Sequence, residues 1–289
     1  MNIPVLLAAM AAVIIFGGSA VATKVAVGGI SPIDVSLLRT LIGGIIVLPL
    51  VAILNIPLPS GKEQRLLLLA SGFCGFVAFP IAFTLGVSLT SANHATMILA
   101  ALPIITGAMA MFWDRQKPAG LWWSGCIIAF AGEILLIYDS SGEASASVKG
   151  DLIVMLANFL ASLGYVTGAR LQRSGYSAKG TTFWGIILFA LLLLPFSVFV
   201  IDFETAFNAS SEVWLAVLYQ AIGVTIIAYV LWYWALGTGG IARVGLFQFL
   251  QPVSGIILAG IILSDRVTPV FLVASIIILS GLILAFKAR

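Results

Sequence analysis

The side chains that could do chemistry in this chain are few, and most stand in apolar surroundings. His94 is the single histidine. It lies in the run Ala92-Asn93-His94-Ala95-Thr96-Met97, which continues to Pro103. Histidine titrates near neutral pH, so His94 can carry a proton or donate to a carboxylate. The plainer reading is a helix-end histidine wetted by an outer loop. Met97 shares its helical face. A partner stretch runs from Ile241 to Pro252, with its proline 149 residues after Pro103. It holds Gln248 and Gln251, three apart and therefore on one face. Amides in an apolar medium need partners; these either join helices or bind a solute. Asn158 and Tyr165, seven apart, pose the same choice. Phe79 and Phe83 stand at i and i+4, as do Tyr229 and Tyr233. Such pairs either pack the core or wall a passage suited to flat apolar solutes.

The charged candidates are sparser. Arg39 falls inside an apolar segment, where a charge must reach the surface, a partner or a cavity. Asp34 and Glu133 are its expected structural partners. Lys24 is expected to snorkel outward, and Glu133 to do the same at a membrane interface. No phosphate-cradling glycine loop, metal cluster or histidine–carboxylate pair beside a nucleophile is present. The sequence therefore predicts no enzyme, no cofactor and no metal site. Cys74 and Cys126 sit within apolar runs without disulfide or metal spacing.

Composition sets the elements that hold these residues. Hydrophobic residues make up 61% and charged residues 9% of the 289, and the mean hydropathy is +1.17. Soluble domains carry roughly 25% charged residues, so this is a polytopic membrane protein. Its net charge of +3 lies in short loops, which speaks for topology rather than nucleic acid. About 20 apolar residues make one span. Ten such segments are read, at 3–27, 33–54, 65–88, 92–112, 119–138, 151–171, 181–201, 213–236, 241–263 and 268–286. The first is taken as a helix and not a cleaved signal. Arg65, Arg115, Arg170, Arg173, Arg243 and Lys287 gather on one side, predicting both termini in the cytoplasm. The linker 139–150 divides halves 1–138 and 151–289. Five spans is an odd number, so the halves run inverted to each other. Pro80, Pro103 and Pro252 interrupt spans, while Gly17, Gly18 and Gly164 let helices bend or pack closely. These are the expected hinge positions.

The chain resembles the drug/metabolite transporter superfamily, in its ten-helix branch with two EamA-type repeats. The resemblance covers the whole chain. It rests on Phe16-Gly17-Gly18-Ser19 before Lys24, Ser31-Pro32 leading to Arg39, Thr90-Ser91-Ala92, Pro103 and Asp114-Arg115. The second half adds Ala235-Leu236, Pro252 and Asp265-Arg266. Within the family it is most similar to YddG-type aromatic amino-acid exporters. The resemblance implies an all-α membrane protein of ten helices in two inverted repeats, in a bacterial inner membrane. It implies export of aromatic and other hydrophobic amino acids by alternating access, from a monomer, with the fifth and tenth helices as scaffold. Efflux of drugs or nucleotide-sugar-like metabolites, and a non-transporting accessory role, remain the alternatives.

Overall fold

Helix starts follow local chemistry. Ser31 accepts from the Asp34 amide at 3.2 Å, with Pro32 next and Asp34 in the first turn, and opens α2, Pro32–Ile53. Ser147 caps α6, Val148–Arg173, whose last turn carries Arg170 and Arg173 against the helix dipole. Ser177 caps α7, Ala178–Val200. Ser210 caps Ser211–Leu218, the first part of α8. The remaining elements are α1, Ile3–Ala26; α3, from Lys62–Phe73 to Phe79–Leu89; α4, Leu102–Trp113; α5, Gly120–Asp139; α9, Ile241–Val244 continuing into Gly245–Leu250; and α10, Pro269–Lys287. A short helix, Phe203–Asn208, lies between α7 and α8. Gly240, at φ 95°, turns α8 into α9 in a backbone conformation that costs glycine nothing.

The computed structural model describes residues 2–89, 98–115, 119–139, 147–251, 253–255, 257 and 269–288, with backbone alone at 20, 21, 24, 87, 88, 136–139 and 271. His94, Met97 and Pro252 fall outside the described residues. Five described helices are long and apolar enough to cross a bilayer, and shorter apolar helices accompany them. Large apolar side chains on their outer faces, such as Ile45, Phe112 and Phe199, are exposed, as lipid-facing residues must be.

Two of the described helices pass through π-helical stretches inside the bundle. α3 passes through a π-helical stretch, Cys74–Ala78, just before Pro80. α8 passes through a longer one, Tyr219–Ala228, before Tyr229–Gly239. The expected disturbance at Pro80 thus takes the form of a widened turn. Pro80 has no N–H to give, so main-chain carbonyls before it lose their helical donor. Side chains of other helices replace it. Thr40 of α2 donates to the Phe76 carbonyl at 3.0 Å, and Tyr229 of α8 to the Gly75 carbonyl at 3.1 Å. In α8, Thr225 donates to the Gln220 carbonyl at 2.8 Å. α4 is also broken: a turn at Ala100–Ala101 separates Ile98-Leu99 from the stretch that Pro103 helps to start. In α9 the residues Gly245–Leu250 form a 3-10 stretch where a plain α-helix is expected from sequence.

Small residues bring backbones together. α5 and α10 pack along their length. A Cβ on Gly281 would lie 2.6 Å from the Gly125 carbonyl oxygen, and one on Gly132 would lie 3.0 Å from that of Ala274. This pair attaches to the rest through α9 and the cluster of Trp122, Leu246 and Phe249. Gly17 packs α1 against α9, 2.8 Å from the Gln251 carbonyl by the same measure, and Gly164 packs α6 against the backbone of Gly75. α1 stays helical through Gly17 and Gly18. At Gly17 and Gly164 close packing is the role seen. With no water to expel between helices, such van der Waals contact is a main source of cohesion.

This packing predicts that Gly281→Ala lowers the unfolding temperature in detergent by roughly 5 °C, because overpacking costs about 1–3 kcal/mol. Gly61→Ala, whose added carbon meets nothing within 4 Å, leaves it unchanged. Equal melting of the two variants would refute the close α5–α10 contact.

Candidate functional site

Tyr229, the residue that follows the π-helical stretch of α8, reaches the π-helical stretch of α3 at Gly75 and Phe76, and an aromatic cluster gathers around it. Tyr229 is its hub. Its ring lies 4.8 Å from Phe76 of α3, 5.6 Å from Phe16 of α1 and 6.0 Å from Tyr165 of α6. Tyr233, one turn on, is 5.5 Å away. Trp232 completes the group against Tyr165 at 5.8 Å. Tyr165, Tyr229 and Tyr233 are therefore brought together, and all three are buried. Gly168 makes room for the Tyr233 ring. The Tyr233 hydroxyl and the Trp232 N–H have no partner among the described residues. Phe79 and Phe83 stack on each other at 5.7 Å and 21°, half-buried. Phe79 packs against the same cluster, one turn beyond Phe76.

Arg39 enters this region from α2. Its Nε donates to the Thr225 hydroxyl at 3.0 Å. Thr225 can accept there because its own proton goes to the Gln220 carbonyl. Gln220 is itself held by α1: it accepts from the Ser19 hydroxyl at 3.0 Å, and donates to the Ser19 carbonyl at 2.8 Å and the Thr23 hydroxyl at 2.5 Å. A chain of hydrogen bonds thus runs from α1 through the π-helical stretch of α8 to Arg39. The guanidinium is close enough to Tyr229 and Tyr165 to interact with them electrostatically. The expected ion pairs are absent. Among the described residues Arg39 has no carboxylate partner. Asp34 instead accepts from the Asp202 amide at 3.4 Å. Glu133 belongs to α5, is 1% exposed, and has an unpartnered Oε2 among the described residues. It does not snorkel to an interface.

The polar residues singled out from sequence divide. Asn158, fully buried, donates to the Ile98 carbonyl beside the break in α4, and its Oδ1 has no partner among the described residues. Gln248 is buried with neither amide atom partnered among the described residues. Gln251 is half-buried, and its carbonyl accepts from Ser254 at 2.9 Å. Gln248 and Gln251 keep a common face, since residues three apart eclipse in a 3-10 helix. Sequence reasoning left Arg39 out of the site because it supplied the residue with a structural partner. The signal was present: an arginine on an otherwise apolar segment, about 2.5–3.5 kcal/mol unfavourable at a helix centre on insertion scales, with no carboxylate one helical turn away.

At the end of the bundle that carries the basic residues, the helices are clamped. Asp114, after α4, pairs with Arg170 at 2.8 Å and Arg173 at 3.2 Å, both on α6. The Arg170 guanidinium also lies 4.9 Å from the centre of the Trp113 ring. Arg173 Nε donates to the Gly237 carbonyl of α8 at 3.4 Å. Beneath the clamp, Val166, Ala169, Trp232, Ala235 and Leu236 are fully buried. Arg39, Phe79, Phe83 and Gln251 on the far side are only half-buried. A small cavity of about 360 Å³ remains beside Asp114, Arg173, Gly240 and Arg243.

Comparison with known proteins fits this architecture. The profile of the EamA-like transporter family matches residues 3–138 and again 148–287. The uncharacterized transporter YdeK of Bacillus subtilis (strain 168) is 30% identical over 257 residues, spanning 88% of this chain and 87% of that protein. A protein of Escherichia coli (strain K12) described as a "Probable amino-acid metabolite efflux pump" is 24% identical over 285 residues, 95% of this chain and 92% of its own. A crystal structure superposes with a TM-score of 0.81 over 98% of both chains at 18% identity, a likeness of fold. Together with the apolar helices and the polar, aromatic-walled interior, these matches place the chain: it is a multi-pass membrane protein and belongs to the EamA-like transporter family.

Proposed function

We propose that this protein is a secondary transporter that exports small metabolites, chiefly aromatic and other hydrophobic amino acids, from a bacterial cell through its inner membrane. It works as a monomer of ten membrane helices in two inverted five-helix repeats, with both termini in the cytoplasm. The observation that carries this reading is the interior where α1, α2, α3, α6 and α8 meet. An arginine and a row of hydroxyls stand there near Tyr165 and Tyr229, whose cluster Phe79 joins, inside an otherwise apolar bundle. A zwitterion with a flat side chain needs both surfaces. The amino-acid efflux description of the Escherichia coli relative supports the substrate class.

Two observations support the repeat. The family profile matches once in each half. The spacing between the paired prolines also carries the π-helical stretch of α3 onto that of α8. Freed carbonyls and discontinuous helices at corresponding places in two halves are how inverted-repeat transporters build a site. Rocking of one half against the other would then open the ends in turn. The Asp114 clamp is the lock on the cytoplasmic end, and the break at Ala100–Ala101 before Pro103, at the opposite end of Leu102–Trp113, is the joint.

Proteoliposomes loaded with labelled phenylalanine, leucine and threonine, with and without a pH gradient, test the reading. Efflux above empty liposomes is expected, and its absence for all three with folded protein would overturn amino-acid export. The clamp makes a separate forecast. In Asp114→Asn, labelling of the buried Cys74 by a thiol reagent, in a Cys126→Ala background, rises roughly fivefold. That is the population change of about 1 kcal/mol, a fair sum for two partly exposed ion pairs. An unchanged labelling rate would mean that Asp114 does not hold the closed state.

A further inference from the structure

We infer that the guanidinium of Arg39 is the anion-recognising group of the pathway, and that the transported solute must present a carboxylate to complete its hydrogen bonding. The inference rests on the export reading and goes further: it names the residue that selects the solute and the chemical group selected.

A guanidinium carries five N–H donors in a rigid fork. Arg39 spends the Nε donor on Thr225. Its two terminal nitrogens take no protein acceptor among the described residues, and they are not sealed from open space. A purely structural arginine within a membrane bundle is expected to be closed by a carboxylate or by several carbonyls. Here Asp34 is engaged with the Asp202 amide, and Glu133 lies on α5, within the pair it makes with α10. What remains is a cation held in place by Thr225 and, among the described residues, left incomplete.

The anchoring favours recognition over chance. Ser19, Thr23 and Gln220 fix the α8 stretch, Gln220 fixes Thr225, and Thr225 fixes the near edge of the guanidinium. The far edge, with both terminal nitrogens, is then presented as a fork that matches two carboxylate oxygens. Tyr165 and Tyr229 are near enough to act on it electrostatically, and Phe79 packs against their cluster. A flat apolar group attached to the carboxylate meets these rings. An organic cation without an acid group is repelled by the guanidinium, a penalty that the attraction of the neighbouring rings does not offset, so amines and cationic drugs are disfavoured in the same place.

The test uses the purified full-length protein in chloride-free buffer, with phenylalanine, phenylacetate and phenethylamine as probes and the unfolding temperature as readout. For the unaltered protein, phenylalanine and phenylacetate raise the unfolding temperature and phenethylamine does not. Arg39→Gln weakens binding of both carboxylates by roughly 30-fold or more, the range seen when one member of a close charge pair is removed. Arg39→Lys retains part of the affinity. Undiminished carboxylate binding by Arg39→Gln would overturn the assignment. So would stabilisation of the unaltered protein by phenethylamine as strong as that by phenylacetate, a comparison that holds even if the glutamine variant fails to fold. Thr225→Val, which keeps the charge and removes its anchor, weakens both carboxylates several-fold. Carboxylate binding that depends on Arg39, without amino-acid efflux from proteoliposomes, would leave this inference standing and remove the export reading alone. Failure of any carboxylate to stabilise the protein would remove the inference itself.

Discussion

Within a bilayer every backbone carbonyl must find a donor inside the protein, and the centre of this molecule is arranged around carbonyls that their own helices do not serve. Pro80 removes a donor from α3, and the Cys74–Ala78 stretch spreads the loss over a widened turn. Thr40 and Tyr229 answer it from two other helices. An interhelical hydrogen bond in a membrane gains only about 0.6 kcal/mol on average, whereas a buried acceptor left bare costs about 1–3 kcal/mol. The second figure decides: what selects these contacts is the penalty for their absence. The same bonds bring α2, α3 and α8 to one place and set the Tyr229 ring at the hub of the aromatic cluster.

The α8 stretch repeats the device and puts it to a different use. Thr225 closes a carbonyl of its own helix, and in doing so turns its oxygen lone pairs toward Arg39. An arginine there is unfavourable for insertion, yet the surroundings neutralise it only in part. That combination differs from the clamp formed by Asp114, Arg170 and Arg173, where each charge has a partner and the side chains are partly exposed. The clamp is mechanical, joining helix ends through ion pairs that water can replace. Arg39 is chemical: among the described residues no carboxylate completes it, and its donors beyond Nε are left for a solute or water.

The α5–α10 pair is a third kind of construction. Its glycines and alanines align so that the backbones touch, and few polar groups take part. Such an interface has little to rearrange. It attaches through α9, the helix that carries Gln248, and through α4, where Gly107 and Met111 pack on the Trp122 cluster.

Much of this protein was legible in its sequence because hydropathy is a sum over neighbours in the chain. The 9% of charged residues settles the class. Apolar run lengths locate α2 at 33–54 against the observed Pro32–Ile53, and α6 at 151–171 against Val148–Arg173. The spacing of Tyr229 and Tyr233 announces a shared face, and Pro80 announces a disturbed helix. Only the tertiary structure decided what those features meet. It put the disturbance of α3 into a π-helical stretch, wound Gly245–Leu250 of α9 as a 3-10 segment, buried Glu133 against expectation, turned Asp34 to the Asp202 amide, and left Arg39 without an ion pair among the described residues. The reason is physical. Transfer into the membrane is counted residue by residue, whereas a hydrogen-bond partner is chosen by proximity in space: Arg39 and Thr225, or Gly75 and Tyr229, are adjacent only after the helices have packed.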